Sequence, residues 1–197
     1  MSDLVTLVSL VRLARDTVVD PRKGASTVLN FAPPRQALWL MFLLVAVSSI
    51  ILVEIVALIV GATSEGAGMA NSPMALGVAQ TGLMLAMVYV AYFVGKFFGG
   101  TGTFEQSLLL MIWLQFILLC VQVIQIAAIL VMPPLVGLIT LASLALFFWL
   151  AVNFIAELHG FTSLGRIFLS MVACLIALVF VAVFVLSGLG LTLMEPI

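Results

Sequence analysis

The chain has 197 residues, of which 65% are hydrophobic and only 8% charged, and its mean hydropathy is +1.40. That balance excludes a water-soluble core, and the length leaves room for one compact helical bundle. A formal net charge of −1 gives no electrostatic case for nucleic acid as a partner.

The N-terminal segment, residues 1–36, opens with Leu4, Leu7, Val8, Val11, Ala14 and Val18 at helical spacing, against Asp3, Thr6, Arg12 and Asp16 around the rest of the turn. This pattern predicts an amphipathic helix over residues 2–19, lying in the membrane interface or packed as a lid on the inner ends of a bundle. It does not read as a signal peptide. No positive region precedes the apolar stretch, Arg12 and Arg15 interrupt it, and no small-residue cleavage site follows. Asp20-Pro21-Arg22-Lys23-Gly24 then breaks the helix, and Ala32-Pro33-Pro34-Arg35 stops the chain again.

Five apolar runs follow, at residues 37–62, 75–97, 107–132, 135–157 and 167–190, each longer than the ~20 residues that a bilayer core requires. The fold class predicted is an all-α integral membrane protein, with five transmembrane helices preceded by the amphipathic interfacial helix. Met132-Pro133-Pro134-Leu135 is read as a tight hairpin, because an uninterrupted helix through it would be roughly 75 Å long, more than twice the apolar thickness. All seven basic residues, Arg12, Arg15, Arg22, Lys23, Arg35, Lys96 and Arg166, fall on one side of this arrangement. By the positive-inside rule that side is cytoplasmic, which places the N-terminus inside and the short tail, residues 191–197, outside. Arg12, Arg15, Arg22 and Lys23 are the expected contacts with an anionic inner leaflet.

Catalytic and metal motifs are sparse. His159 stands beside Glu157 in an inner loop, and one His with one acid matches no metal-site spacing. It reads as an interfacial polar residue. Cys120 and Cys174 read as small packing residues, with no CxxC spacing. The glycine-rich stretch Gly99-Gly100-Thr101-Gly102 lacks the Lys-Ser/Thr of a phosphate-binding loop and follows no β-strand. Thr103 and Gln106 instead fit a capping box for the third span, with Glu105 placed favourably against the helix dipole. Thr162 or Ser163 is a candidate cap for the fifth.

Asp20-Pro21-Arg22, Gln36-Ala37-Leu38-Trp39, Gly99-Gly100-Thr101-Gly102-Thr103-Phe104 and Gly160-Phe161-Thr162-Ser163-Leu164 together give the chain a resemblance, over nearly its whole length, to bacterial members of the Yip (Ypt-interacting protein) family. The resemblance implies five spans and a cytoplasmic N-terminus. In eukaryotes it would imply binding of Rab-type GTPases through a long cytosolic segment, assembly with sister proteins and a role in vesicle traffic. The N-terminal segment here departs from that pattern, so GTPase binding is not carried over.

Intramembrane polar groups are the remaining feature. Counted from the outer ends of their spans, Glu54, Gln80, Thr81, Gln122, Gln125 and Ser143 overlap in depth, which suggests a polar layer. Gln115, Gln122 and Gln125 lie within roughly 80° of one another on the third span, and Glu54 shares a face with Ala57 and Gly61. A carboxylate at that depth costs of order 3 kcal/mol to insert and has no basic residue near it. The layer is either hydrogen-bonding glue between helices or a proton-linked or headgroup site. The expected function is a non-enzymatic membrane adaptor or assembly factor that needs no cofactor or metal and works through lipid, helix–helix and self-association or partner contacts. The alternative is a small transporter or lipid-handling protein built on the Glu54 layer. The expected location is a bacterial inner membrane.

Overall fold

The computed structural model describes residues 7–61 and 73–188, which form helices and connecting turns. Among these residues there are seven helices: α1 (Leu7–Val19), α2 (Pro21–Leu29), α3 (Arg35–Val60), α4 (Pro73–Phe97), α5 (Phe104–Val131), α6 (Leu135–His159) and α7 (Leu164–Gly188). Helices spanning Arg35–Val60, Gly77–Phe97, Phe104–Val131 and Leu135–His159 are long and apolar enough to cross a membrane, and Leu164–Cys174 is a shorter apolar stretch. The expected helix over residues 2–19 is described from Leu7 onward. Leu4 and its neighbours, residues 62–72, and the tail at 191–197 lie outside the described residues.

Local chemistry sets the helix ends. Gly61 and Gly160 adopt left-handed backbone, φ 72° and 70°, where a glycine terminates a helix without steric penalty. At Met132-Pro133-Pro134 the ladder stops and restarts, with the Leu135 N–H donating to the Met132 carbonyl at 3.0 Å. The proline turn is therefore a hairpin between antiparallel α5 and α6. The bundle has a glycine end, where the 98–103 and 160–163 loops gather, and a proline end at this hairpin.

One element differs from the sequence reading. Asp20-Pro21 ends α1, yet it also starts α2: the Asp20 side chain accepts from the Lys23 N–H at 3.2 Å and Pro21 occupies the first turn. A capping Asp followed by Pro is a helix start, since the missing proline N–H is an orphan at that position anyway. The two short helices pack on each other and on the flank of α5 and α6, burying Ala14, Thr17, Gly24, Ala25 and Val28. The apolar face of α1 is also rotated from the one expected. Leu10, Leu13, Ala14, Thr17 and Val18 turn toward the bundle, whereas Val8, Val11 and Val19 are exposed beside Arg12 and Arg15.

Burial is concentrated at the glycine end. In α5 the buried positions run from Ser107 to Leu119, in α6 from Leu150 to His159, and in α3 from Leu38 to Ser49. The α1–α2 contact is tight enough that a β-carbon on Gly24 would stand 2.7 Å from Thr17 Cβ. Gly24→Ala should therefore lower the melting temperature in detergent by several degrees. Gly137→Ala, where nothing lies within 4 Å of the added carbon, should leave it unchanged or raise it. Equal behaviour of the two variants would contradict the docking of α1 and α2.

Candidate functional site

The four short stretches that carry the family resemblance lie far apart in sequence and meet at the glycine end. His159, 3% exposed, is the last residue of α6. Its Nδ1 accepts from the Gly102 N–H at 3.3 Å, and its Nε2 lies 3.0 Å from the Ala91 carbonyl. This pairing assigns a neutral ring with its proton on Nε2, donating to Ala91. The ring fits because its walls are glycine: a β-carbon at Gly95 or Gly100 would fall on the imidazole, and one at Gly102 on Leu158. Phe161 stacks on the imidazole with centroids 5.6 Å apart, and its carbonyl accepts from the Arg22 guanidinium at 3.5 Å.

Phe104, first residue of α5, is set by the capping box before it. The Gln106 N–H donates to Thr103 Oγ1 at 3.2 Å and the Thr103 N–H donates to Gln106 Oε1 at 2.9 Å. The Phe104 ring then meets Tyr89 at 5.0 Å, Tyr92 at 6.1 Å and Trp39 at 6.4 Å. Asp20-Pro21-Arg22, Trp39, the Gly99–Phe104 turn and Gly160-Phe161 thus form one constellation. It locks α3, α4, α5 and α6 together and ties α2 to them. His159 serves as a two-sided hydrogen-bonding plug in this geometry.

Two tryptophans fasten α1. Trp113 Nε1 donates to Thr17 Oγ1 at 3.2 Å, while the Thr17 hydroxyl donates to the Leu13 carbonyl at 2.8 Å. Trp149 Nε1 donates to the Val18 carbonyl at 3.4 Å. Of the four basic residues expected at a membrane surface, Arg12, Arg15 and Lys23 are exposed, whereas Arg22 is partly buried on Phe161. Val8, Val11, Arg12, Arg15 and Val19 occupy a stripe roughly 100° wide on the outward face of α1.

The six residues of the expected polar layer are distributed over separate contacts. Gln80 Nε2 donates to Ser49 Oγ at 2.6 Å, and Gln115 Nε2 reaches the same oxygen at 3.4 Å. Gln125 Nε2 donates to Thr140 Oγ1 at 3.3 Å across the α5–α6 hairpin. The hydroxyls of Thr81 and Ser143 return to their own helices, on the carbonyls of Gly77 and Ile139. Glu54 and Gln122 are partly exposed and take no part in these bonds. Gly61, expected to share a packing face with Glu54, is instead the exposed cap of α3, with nothing within 4 Å of an added β-carbon. Among the described residues no group of three or more His, Cys, Asp or Glu is placed to hold a metal ion.

Ser49 was missed by the sequence reading, and so was the plug role of His159. Ser49 shares the buried face of α3 with Leu38, Phe42, Val45 and Ala46, a spacing readable from sequence. The signal for His159 was the number of glycines near it, which were read only as a loop.

Antiparallel apolar helices, closed at one end by glycine contacts and interhelical hydrogen bonds, define a polytopic α-helical membrane protein. The Yip1 domain model matches residues 15–185, which includes all four converging stretches, so the chain belongs to that family. No curated protein and no solved structure matches it significantly.

His159→Leu keeps much of the ring's bulk but leaves the buried Gly102 N–H without a partner and removes the ring's bond to the Ala91 carbonyl, a loss of roughly 1–3 kcal/mol. The variant should melt well below the wild type in detergent, while Thr101→Ala, at an exposed position of the same loop, should not. An unchanged His159→Leu would refute the plug.

Proposed function

We propose that the protein is a non-enzymatic adaptor or organiser of a bacterial inner membrane, with α3 to α7 as five spans and the glycine end facing the cytoplasm. Its working surface is the outward face of α1, where Val8, Val11 and Val19 alternate with Arg12 and Arg15. The observation that carries this reading is that α1 is held from behind, by Thr17 and Val18 on Trp113 and Trp149, while that stripe is left exposed. A rigidly mounted apolar and basic face suits an anionic leaflet, or a membrane protein partner lying at it. The same residues fit interfacial depth. Trp113 is the tenth residue of α5, so its indole lies about 14 Å along the helix from the glycine end, where a helix lying in the plane would sit.

The orientation rests on the basic residues, all seven of which belong to the glycine end of a five-span arrangement. A reporter active only in the cytoplasm should be silent when fused after Ile197 and active when fused before Met1. A cytoplasmic signal from the C-terminal fusion, with insertion intact, would overturn the five-span arrangement.

The adaptor reading is tested by complementing a deletion strain, with thermal stability followed in parallel. Arg12→Glu/Arg15→Glu changes two exposed side chains and should abolish complementation with the fold intact, whereas Glu54→Gln should complement. A stable Glu54→Gln that fails, beside an Arg12→Glu/Arg15→Glu variant that works, would replace the adaptor by a proton-linked transporter.

A further inference from the structure

Two clefts, each partly open at the side of the bundle, adjoin along it. The larger, about 220 Å³, sits between α3, α4 and α5 near their midpoints, and Ser49, Gln80, Thr81 and Gln115 give it its polar wall. The smaller, about 50 Å³, lies nearer the glycine end, where Ala91, Ser107 and Leu158 line it. Met87 and Met111 line both, so the two spaces adjoin at two flexible, unbranched side chains.

The chemistry of the walls selects an occupant. No acidic or basic side chain lines either space among the described residues, so a phosphate or ammonium group would enter without a counter-charge, at large desolvation cost. The polar wall is uncharged and its donors are not exhausted. Gln80 and Gln115 each give one N–H to Ser49 and retain a second N–H and a carbonyl oxygen, while the Thr81 hydroxyl, donating to Gly77, can still accept. Phe147 and the thioethers of Met84, Met87 and Met111 complete a lining suited to a flat or apolar body.

We propose that this cavity binds an uncharged lipid whose head carries hydrogen-bond-accepting oxygens. The head sits against Gln80, Gln115 and Ser49, and the apolar portion runs past Met87 and Met111 toward the glycine end. A quinone ring and a glyceride hydroxyl or ester both offer this chemistry. The site is distinct from the α1 surface proposed as the adaptor face.

The test uses the full chain in nanodiscs, titrated with a short-chain benzoquinone, with dioctanoylglycerol and with dioctanoylphosphatidylglycerol, and followed by thermal shift and native mass spectrometry. One of the two neutral probes should bind saturably at one per chain and identify the source, and the anionic phospholipid should not compete. Ala46→Leu, which puts bulk into the larger space, should weaken binding at least about tenfold, and Gln125→Leu on the far hairpin should leave it unchanged. Gln115→Leu should weaken binding as well; should that variant lose stability, Ala46→Leu decides. Absence of saturable binding by both neutral probes, equal binding of the anionic lipid, or unchanged affinity in Ala46→Leu would overturn the assignment.

Discussion

A helix already surrounded by hydrocarbon gains nothing by hiding carbon against another helix, so association in a bilayer depends on close packing and on hydrogen bonds between helices. In this chain close packing is densest at the glycine end, and the hydrogen bonds lie chiefly there and at the Ser49 cluster near the midpoint. His159 bridges the Ala91 carbonyl and the Gly102 N–H, inside a cradle that tolerates no side chain at Gly95 or Gly100. That point ties α6 to α4 and to the turn before α5, and the Phe104 ring beside it joins Trp39 of α3 to Tyr89 and Tyr92. Interhelical hydrogen bonds in membranes contribute only ~0.6 to 2 kcal/mol each. Their combination with the glycine-lined packing matters more than the strength of any one.

The consequence is an asymmetric body. Beyond Leu119 on α5 and before Leu150 on α6 there are no buried positions, and the Gln125–Thr140 bond is the interhelical side-chain link found there among the described residues. Leu58, Leu130, Val131, Leu138 and Leu141 are exposed toward the proline end. The closed end carries α1 and α2 on its flank, which suits a protein that presents a surface there. The midpoint of the bundle, where tight packing gives way, is where the Ser49 cluster and its cavity lie.

The sequence made the helices legible because each apolar run is longer than the membrane is thick, and the capping box at Thr103–Gln106 was readable from spacing alone. The second short helix was not read, since Pro21 and Gly24 suggested a breaker although Asp20-Pro21 has the chemistry of a helix start. Which polar groups meet was the least legible part. Depth counted from span ends assumes that helices begin at one level. Gln80, eighth from the Pro73 end of α4, nevertheless reaches Ser49, twelfth from the Val60 end of α3. Thr17 was unreadable for a related reason: its partner, Trp113, is 96 positions away in sequence.

The asymmetry is the central claim, and pulsed dipolar spectroscopy on paired spin labels in nanodiscs measures it directly. Labels at exposed Phe97 and Leu169 report the glycine end, and labels at exposed Leu58 and Leu138 report the proline end. The first pair should give a narrow distance distribution and the second a clearly broader one. Equally narrow distributions, or a broader one at the glycine end, would contradict a bundle held by its glycine-lined lock.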